Sequence, residues 1–72
     1  MNETIIKEIA LELNVQDKQV LETLNMLQNG DTIPFIARYR KEKTGGLTEE
    51  QIKIIKDAYD YQVNLLKRKE DV

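Results

Sequence analysis

Every glycine and the single proline of this 72-residue chain fall between positions 30 and 46 (Gly30, Pro34, Gly45, Gly46). These two residue types interrupt helices most strongly. The segments before and after are free of them and carry apolar residues at helical spacing, so the pattern predicts an all-α chain with one central break. The first helix is expected over about 3–13. Ile5, Ile6, Ile9, Ala10 and Leu13 share a face, Asn2 serves as N-cap, Glu3 suits the positive end of the dipole, and Asn14 is the stop. The second is expected over about 17–28, with Val20, Leu21, Leu24 and Leu27 buried and Met26 flanking. Asn29 and Gly30 close it, Gly30 with positive φ. So short a turn makes the two helices pack at a steep angle, otherwise each leaves its stripe in water.

This hairpin also resembles the helix-turn-helix pattern of bacterial repressors, with Ala10, Leu13, Val15, Val20 and Leu24 at core positions. The second helix would then lie in a DNA groove. Its expected exposed residues, Asp17, Lys18, Gln19, Glu22, Thr23 and Asn25, include no arginine and sum to −1. Groove binding draws much of its affinity from phosphate neutralisation, so plain helix packing is the stronger reading.

In the central stretch, Pro34 fixes a helical φ, and a short helix is expected over about 34–41 with Thr32 or Ile33 as cap. Phe35 and Tyr39 share a side, as do Ile36 and Arg40. Ile33, Ile36 and Ala37 are expected to face the first two helices, with Phe35 and Ile36 packing. Arg38 and Lys41 face water or a partner. Thr44-Gly45-Gly46 reads as a loop, so Pro34, Phe35, Gly45 and Gly46 are the structural marks of the stretch. Thr48-Glu49-Glu50-Gln51 is a capping box, and Leu47 and Ile52 have staple spacing. The last helix is expected over about 49–69, completing a small four-helix domain. Ile52, Ile55, Tyr59, Val63 and Leu66 form one stripe; Ile54, Ala58, Tyr61 and Leu65 form a second. A surface helix of a small domain needs one stripe, so the second implies contact with something outside these residues, or self-association through this helix. Lys67, Arg68 and Lys69 suit the negative end of its dipole.

A chain this short buries only about 60% of its unfolded surface, so stability is thin without a partner. Hydrophobic content of 40% and charged content of 33% favour soluble helix over disorder. There is no Cys, His or Ser, which removes disulfides, the common zinc sites and the usual nucleophile–base arrangements. Glu49 and Glu50 point apart on a helix, and Asp57 with Asp60 is a poor metal site. Gly45-Gly46 lacks the preceding strand and the motif of a phosphate loop. No catalytic residue, cofactor or metal is therefore expected, nor an enzyme. No apolar run approaches the roughly 18 residues of a membrane span, and the start lacks a signal-peptide pattern, so a reduced cytoplasmic setting is the default.

Net charge is −2, but it divides as −3 over 1–30, +2 over 31–47 and −1 over 48–72. The positive charge gathers in Arg38-Tyr39-Arg40-Lys41-Glu42-Lys43, the composition of a phosphate-gripping, base-stacking surface. The competing reading is a solvated face whose basic heads pair with nearby carboxylates.

The run T-I-P-F-I-A-R-Y-R-K-E-K-T-G-G-L-T-E-E-Q-I, with the preceding I-A-L-E-L-N-V-Q-D-K-Q-V-L-E-T-L-N-M-L-Q-N-G, resembles the N-terminal segment of the Tex family of bacterial transcription accessory proteins. The resemblance covers about residues 5–69. It implies that residues 1–72 are one helical N-terminal domain of a longer multidomain protein. In that family a nuclease-like domain without established activity, helix-hairpin-helix elements and an OB-fold RNA-binding domain follow; a eukaryotic elongation factor and histone chaperone shares the layout. It implies RNA or DNA binding by the full-length protein, chiefly through the OB-fold, a link to transcription, and no catalytic residue here. Two roles remain open. In one, the segment docks on later domains of its parent or on the transcription machinery. In the other, Arg38, Tyr39, Arg40, Lys41 and Lys43 contact nucleic acid directly. The net charge favours docking.

Overall fold

A computed structural model of the chain describes residues 2–70, and the side chains of residues 2–67. Five helices occupy the described residues: α1 (Glu3–Leu13), α2 (Asp17–Gln28), α3 (Ile33–Tyr39), α4 (Lys41–Thr44) and α5 (Glu49–Glu70). The all-α expectation holds, but the count is five rather than four. The short central helix ends at Tyr39 instead of Lys41, because Arg40 leaves helical geometry (φ −121°, ψ 30°). Residues 41–44 then wind one further turn, so Thr44 is helical and buried rather than part of a loop.

The ends follow local chemistry. Asn2 Oδ1 accepts from the N–H groups of Thr4 and Ile5, filling donors a helix start leaves free. Asn14 takes the left-handed conformation (φ 58°), and the Val15 N–H returns to the Ala10 carbonyl at 2.9 Å. At the end of α2, Gly30 does the same (φ 101°). Its N–H reaches Leu27 O and that of Asp31 reaches Met26 O, a Schellman closure. Thr32 Oγ1 caps α3 by accepting from the Phe35 N–H. The box at α5 is reciprocal: Thr48 N–H donates to Gln51 Oε1 at 2.9 Å, and Gln51 N–H donates to Thr48 Oγ1 at 3.2 Å. Leu47 and Ile52 beside it are both buried. The dipole role expected of Arg68 and Lys69 lies outside the described side chains.

One core joins Ile5, Ile6, Ile9 and Ala10 of α1, Val20, Leu24 and Met26 of α2, Ile36 of α3, and Leu47, Ile52 and Ile55. Full burial of an Ile or Val side chain contributes about 1.5–3 kcal/mol, and Val20, Ile36, Ile52 and Ile55 are completely covered. Leu13, Val15, Leu27, Ile33, Ala37, Tyr59 and Val63 line its margin.

The structure corrects three expected faces. On α2 the buried side is turned toward Thr23 and Met26, while Leu21 is partly exposed beside Ile6, Lys7 and Lys18. Thr23 tolerates full burial because its hydroxyl donates to the Gln19 carbonyl at 2.7 Å. α3 packs on α2, α4 and α5 rather than on α1. Phe35 stays 37% exposed, so Ile36 alone anchors that short helix in the core.

Candidate functional site

The basic segment sits on a corner of backbone between α3 and α4, held by a polar knot. Gln19, in the first turn of α2, accepts from the Gln16 N–H through Oε1 at 2.9 Å. Its Nε2 donates to the Thr44 carbonyl at 2.8 Å. One side chain thereby closes the start of α2 and the end of α4. The Thr44 hydroxyl donates to Lys41 O and accepts from the Leu47 N–H, which satisfies a fully buried polar group. Gly45 follows in the left-handed region (φ 72°), and a Cβ there would overlap the Gln19 amide. Its need for glycine is therefore steric as well as conformational. Sequence reasoning placed Gln19 and Thr23 in solvent and missed this knot. The Gln16-to-Gln19 spacing, matching that of a capping box, was the available signal for half of it.

The five residues expected to form a contact surface come together. Arg38 and Tyr39 end α3, Arg40 is the junction, and Lys41 and Lys43 belong to α4. All five are exposed and, with Glu42, line one shallow depression. The Phe35 and Tyr39 rings pack at 5.2 Å between centroids, tilted by 45°. The Arg40 guanidinium carbon lies 5.2 Å from the centre of the Phe35 ring, within reach of a cation–π attraction. Ile36 and Arg40, four apart, have opposite fates: the break at Arg40 swings its side chain outward over Phe35. Lys18 of α2 joins Lys43 across a neighbouring hollow that also holds Glu22 and Glu42. Among the described residues the one ion pair is Lys56–Asp60, so Arg38, Arg40, Lys41 and Lys43 are not held by carboxylates.

A second surface lies along α5. Ile52 and Ile55 fill the core and Ala58 packs against it, but the rest of the second stripe stays open, with Ile54, Tyr61 and Leu65 40%, 64% and 39% exposed; Leu66, expected on the core stripe, is 42% exposed instead of buried. Between this stripe and α1 runs a groove of about 450 Å³ lined by Glu12, Ile54, Asp57, Ala58, Tyr61 and Gln62. Among the described residues no cluster of three or more acidic, His or Cys side chains could hold a metal ion, and no helix is long and apolar enough to cross a membrane.

Residues 3–72 match the family described as the Tex-like protein N-terminal domain. The chain is 46% identical over 66 residues to the uncharacterized protein YdcI of Bacillus subtilis, which covers 92% of this chain and 9% of that protein. It is 38% identical over 72 residues to protein YhgF of Escherichia coli, all of this chain and 9% of that one. It is also 38% identical over 65 residues to the transcriptional accessory protein Tex of Neisseria gonorrhoeae, covering 90% of this chain and 9% of that one. The chain thus spans about a tenth of the length of these relatives.

Proposed function

Since this chain belongs to the family of Tex-like protein N-terminal domains, we propose that it is a non-catalytic docking module of a longer transcription accessory protein. Its partner is the remainder of that polypeptide, and bacterial transcription places the work in the cytoplasm. The observation that carries this reading is the open stripe of Ile54, Tyr61 and Leu65, on a helix whose opposite side already completes the core. Contiguous exposed apolar surface in a soluble protein marks an interaction site. The relatives extend well beyond the matched segment, so a covering element inside the same polypeptide is the economical source. Without it, copies of this chain associate through the same stripe at high concentration.

The test is a titration of the isotope-labelled chain with YdcI from which the matching segment has been deleted. A tethered partner acts at about millimolar effective concentration, so a trans Kd as weak as about 0.1 mM still signifies full docking in the parent. Amide shifts are expected at Ile54, Tyr61 and Leu65, abolished by Ile54→Glu with Leu65→Glu. Absence of any shift at that concentration refutes docking on YdcI.

A second reading has its own support. Tyr39 is 63% exposed amid basic residues that have no carboxylate partner among the described residues, the arrangement of a stacking platform beside phosphate-binding groups. Labelled single-stranded RNA or DNA should then bind at low salt, with affinity falling as salt rises and lost in Arg38→Ala with Arg40→Ala. The inward turn of Gln19 and Thr23 leaves α2 fewer side chains for groove reading, so this contact rests on α3 and α4.

A further inference from the structure

The groove between α1 and α5 has a definite charge pattern. Its apolar lining is Ile54, Ala58 and Tyr61, and its carboxylates come from both helices: Glu12 on α1 and Asp57 on α5. Each residue of a helix turns the side chain by about 100°. Glu50, seven residues before Asp57, therefore lies on the Asp57 side, and Glu8 lies one turn before Glu12 on its side of α1. Both are exposed. Lys56 and Lys67 point about 140° or more away from Ile54 by the same spacing, while Lys53, three residues after Glu50 and four before Asp57, falls among the carboxylates of that bank. The trough is thus apolar along its length with a net negative charge on its banks, Glu8 and Glu12 on one and Glu50 and Asp57 around Lys53 on the other, and it shares no lining residue with the basic α3–α4 corner.

We propose that this groove seats a basic amphipathic helix from the remainder of the Tex-like polypeptide, one apolar stripe flanked by Lys or Arg. The proposal rests on the docking reading and adds the chemistry of the partner. From Ile54 to Leu65 the stripe runs about 16 Å along α5, which three turns of helix cover. An amphipathic helix laying its apolar face in a groove is a recurrent recognition mode, and opposite charges on the rims set register and speed encounter. A second copy of this chain would bring carboxylates against carboxylates, so self-association through the stripe is the weaker competitor that a basic helix displaces, and nucleic acid or an anionic membrane would be repelled from the same banks.

The test uses two synthetic peptides of about 14 residues sharing one leucine stripe at helical spacing, flanked by Lys in one and Glu in the other. The labelled 72-residue chain is titrated with each, and with the truncated YdcI used above. The Lys peptide is expected to shift the Ile54, Tyr61 and Leu65 amides and to bind at least about tenfold more tightly than the Glu peptide, about 1.4 kcal/mol. The E12K/D57K variant is expected to reverse that order. Both positions are exposed, and an unchanged thermal melt verifies folding. Equal binding of the two peptides, binding of neither, or no reversal in the variant overturns the proposal. If truncated YdcI binds wild type and E12K/D57K equally, docking stands and the basic helix is wrong. If truncated YdcI does not bind, the docking reading fails first. A dimer seen by sedimentation and dissociated by neither peptide identifies a second copy as the occupant and also overturns the proposal.

Discussion

Gly45→Ala is the substitution whose consequence the structure specifies most closely. Two effects act at once. An alanine in the left-handed region costs about 1–2 kcal/mol, since Gly45 has φ 72°. The new methyl also displaces the Gln19 amide. The amide end of Gln19 can swing away easily, so the steric part is small, but moving it breaks the bond from Nε2 to the Thr44 carbonyl. Leaving that carbonyl unsatisfied beside the fully buried Thr44 costs about 1–3 kcal/mol. The total is about 2–5 kcal/mol, against about 4–11 for a domain of this length at the usual stability per residue. Urea unfolding followed by circular dichroism measures the loss as a lower midpoint at unchanged slope. Gly46→Ala is the internal control: φ is 89° and nothing stands within 4 Å of the added atom, so it should lose only the conformational part. The sharper comparison is Gly45→Ala in a Gln19→Ala background, where the clash is gone and its cost should fall to that of Gly46→Ala. Equal losses for Gly45→Ala and Gly46→Ala in the natural background, or no relief in the Gln19→Ala background, would refute the coupling between α2 and the corner.

Thr44→Val keeps shape but removes the hydroxyl that accepts from the Leu47 N–H; about 1–3 kcal/mol should be lost, with faster exchange of the Leu47 amide. Thr48→Ala removes one arm of the box at the start of α5. It should cost about 1 kcal/mol in the same urea assay, and Gln51→Ala added to it should cost less than its single effect. Ile52→Ala, at a site with no exposed surface, should lose about 2–5 kcal/mol, a large part of the domain's stability, read as a lower urea midpoint by circular dichroism. Ile54→Ser, on the open stripe, should change the midpoint by no more than about 0.5 kcal/mol while weakening any association through α5.

What the sequence made legible is what depends on neighbours in the chain. The caps at Asn2, Asn14, Gly30, Thr32 and Thr48 and the bounds of α1, α2 and α5 rest on side chains within a few residues of the backbone groups they satisfy. The second stripe of α5 was visible for the same reason: Ile54, Ala58, Tyr61 and Leu65 announce a face by spacing alone. Illegible parts need partners far away in sequence. Nothing local marks Thr23 for burial, since its hydroxyl is content with the Gln19 carbonyl one turn back and only the approach of other helices closes water off. Leu21 reads as core by hydrophobicity, yet α1 meets α2 along Val20 and Leu24 and leaves it at the edge. Gln19 looks like one more polar surface residue until Thr44, 25 positions later, comes within 2.8 Å.

The same distinction explains why the basic corner ends up as a surface. A continuous helix from Pro34 to Lys41 would place Arg40 one turn above Ile36, aimed at the core that Ile36 fills completely. Burying a guanidinium there without a carboxylate would cost far more than one broken turn. The break at Arg40 avoids this by sending the guanidinium over Phe35, where the cation stays hydrated and the ring is partly covered. It also separates α4 from α3, so that Lys43 emerges beside Lys18 and Lys41 beside Arg38 and Arg40. Gln19 and Gly45 then fix α4 against α2. The basic cluster Arg38, Arg40, Lys41 and Lys43 is thus presented by α3 and α4, apart from the α1–α5 groove that carries Glu12 and Asp57. Two surfaces of opposite sign on one small core can serve two partners at once.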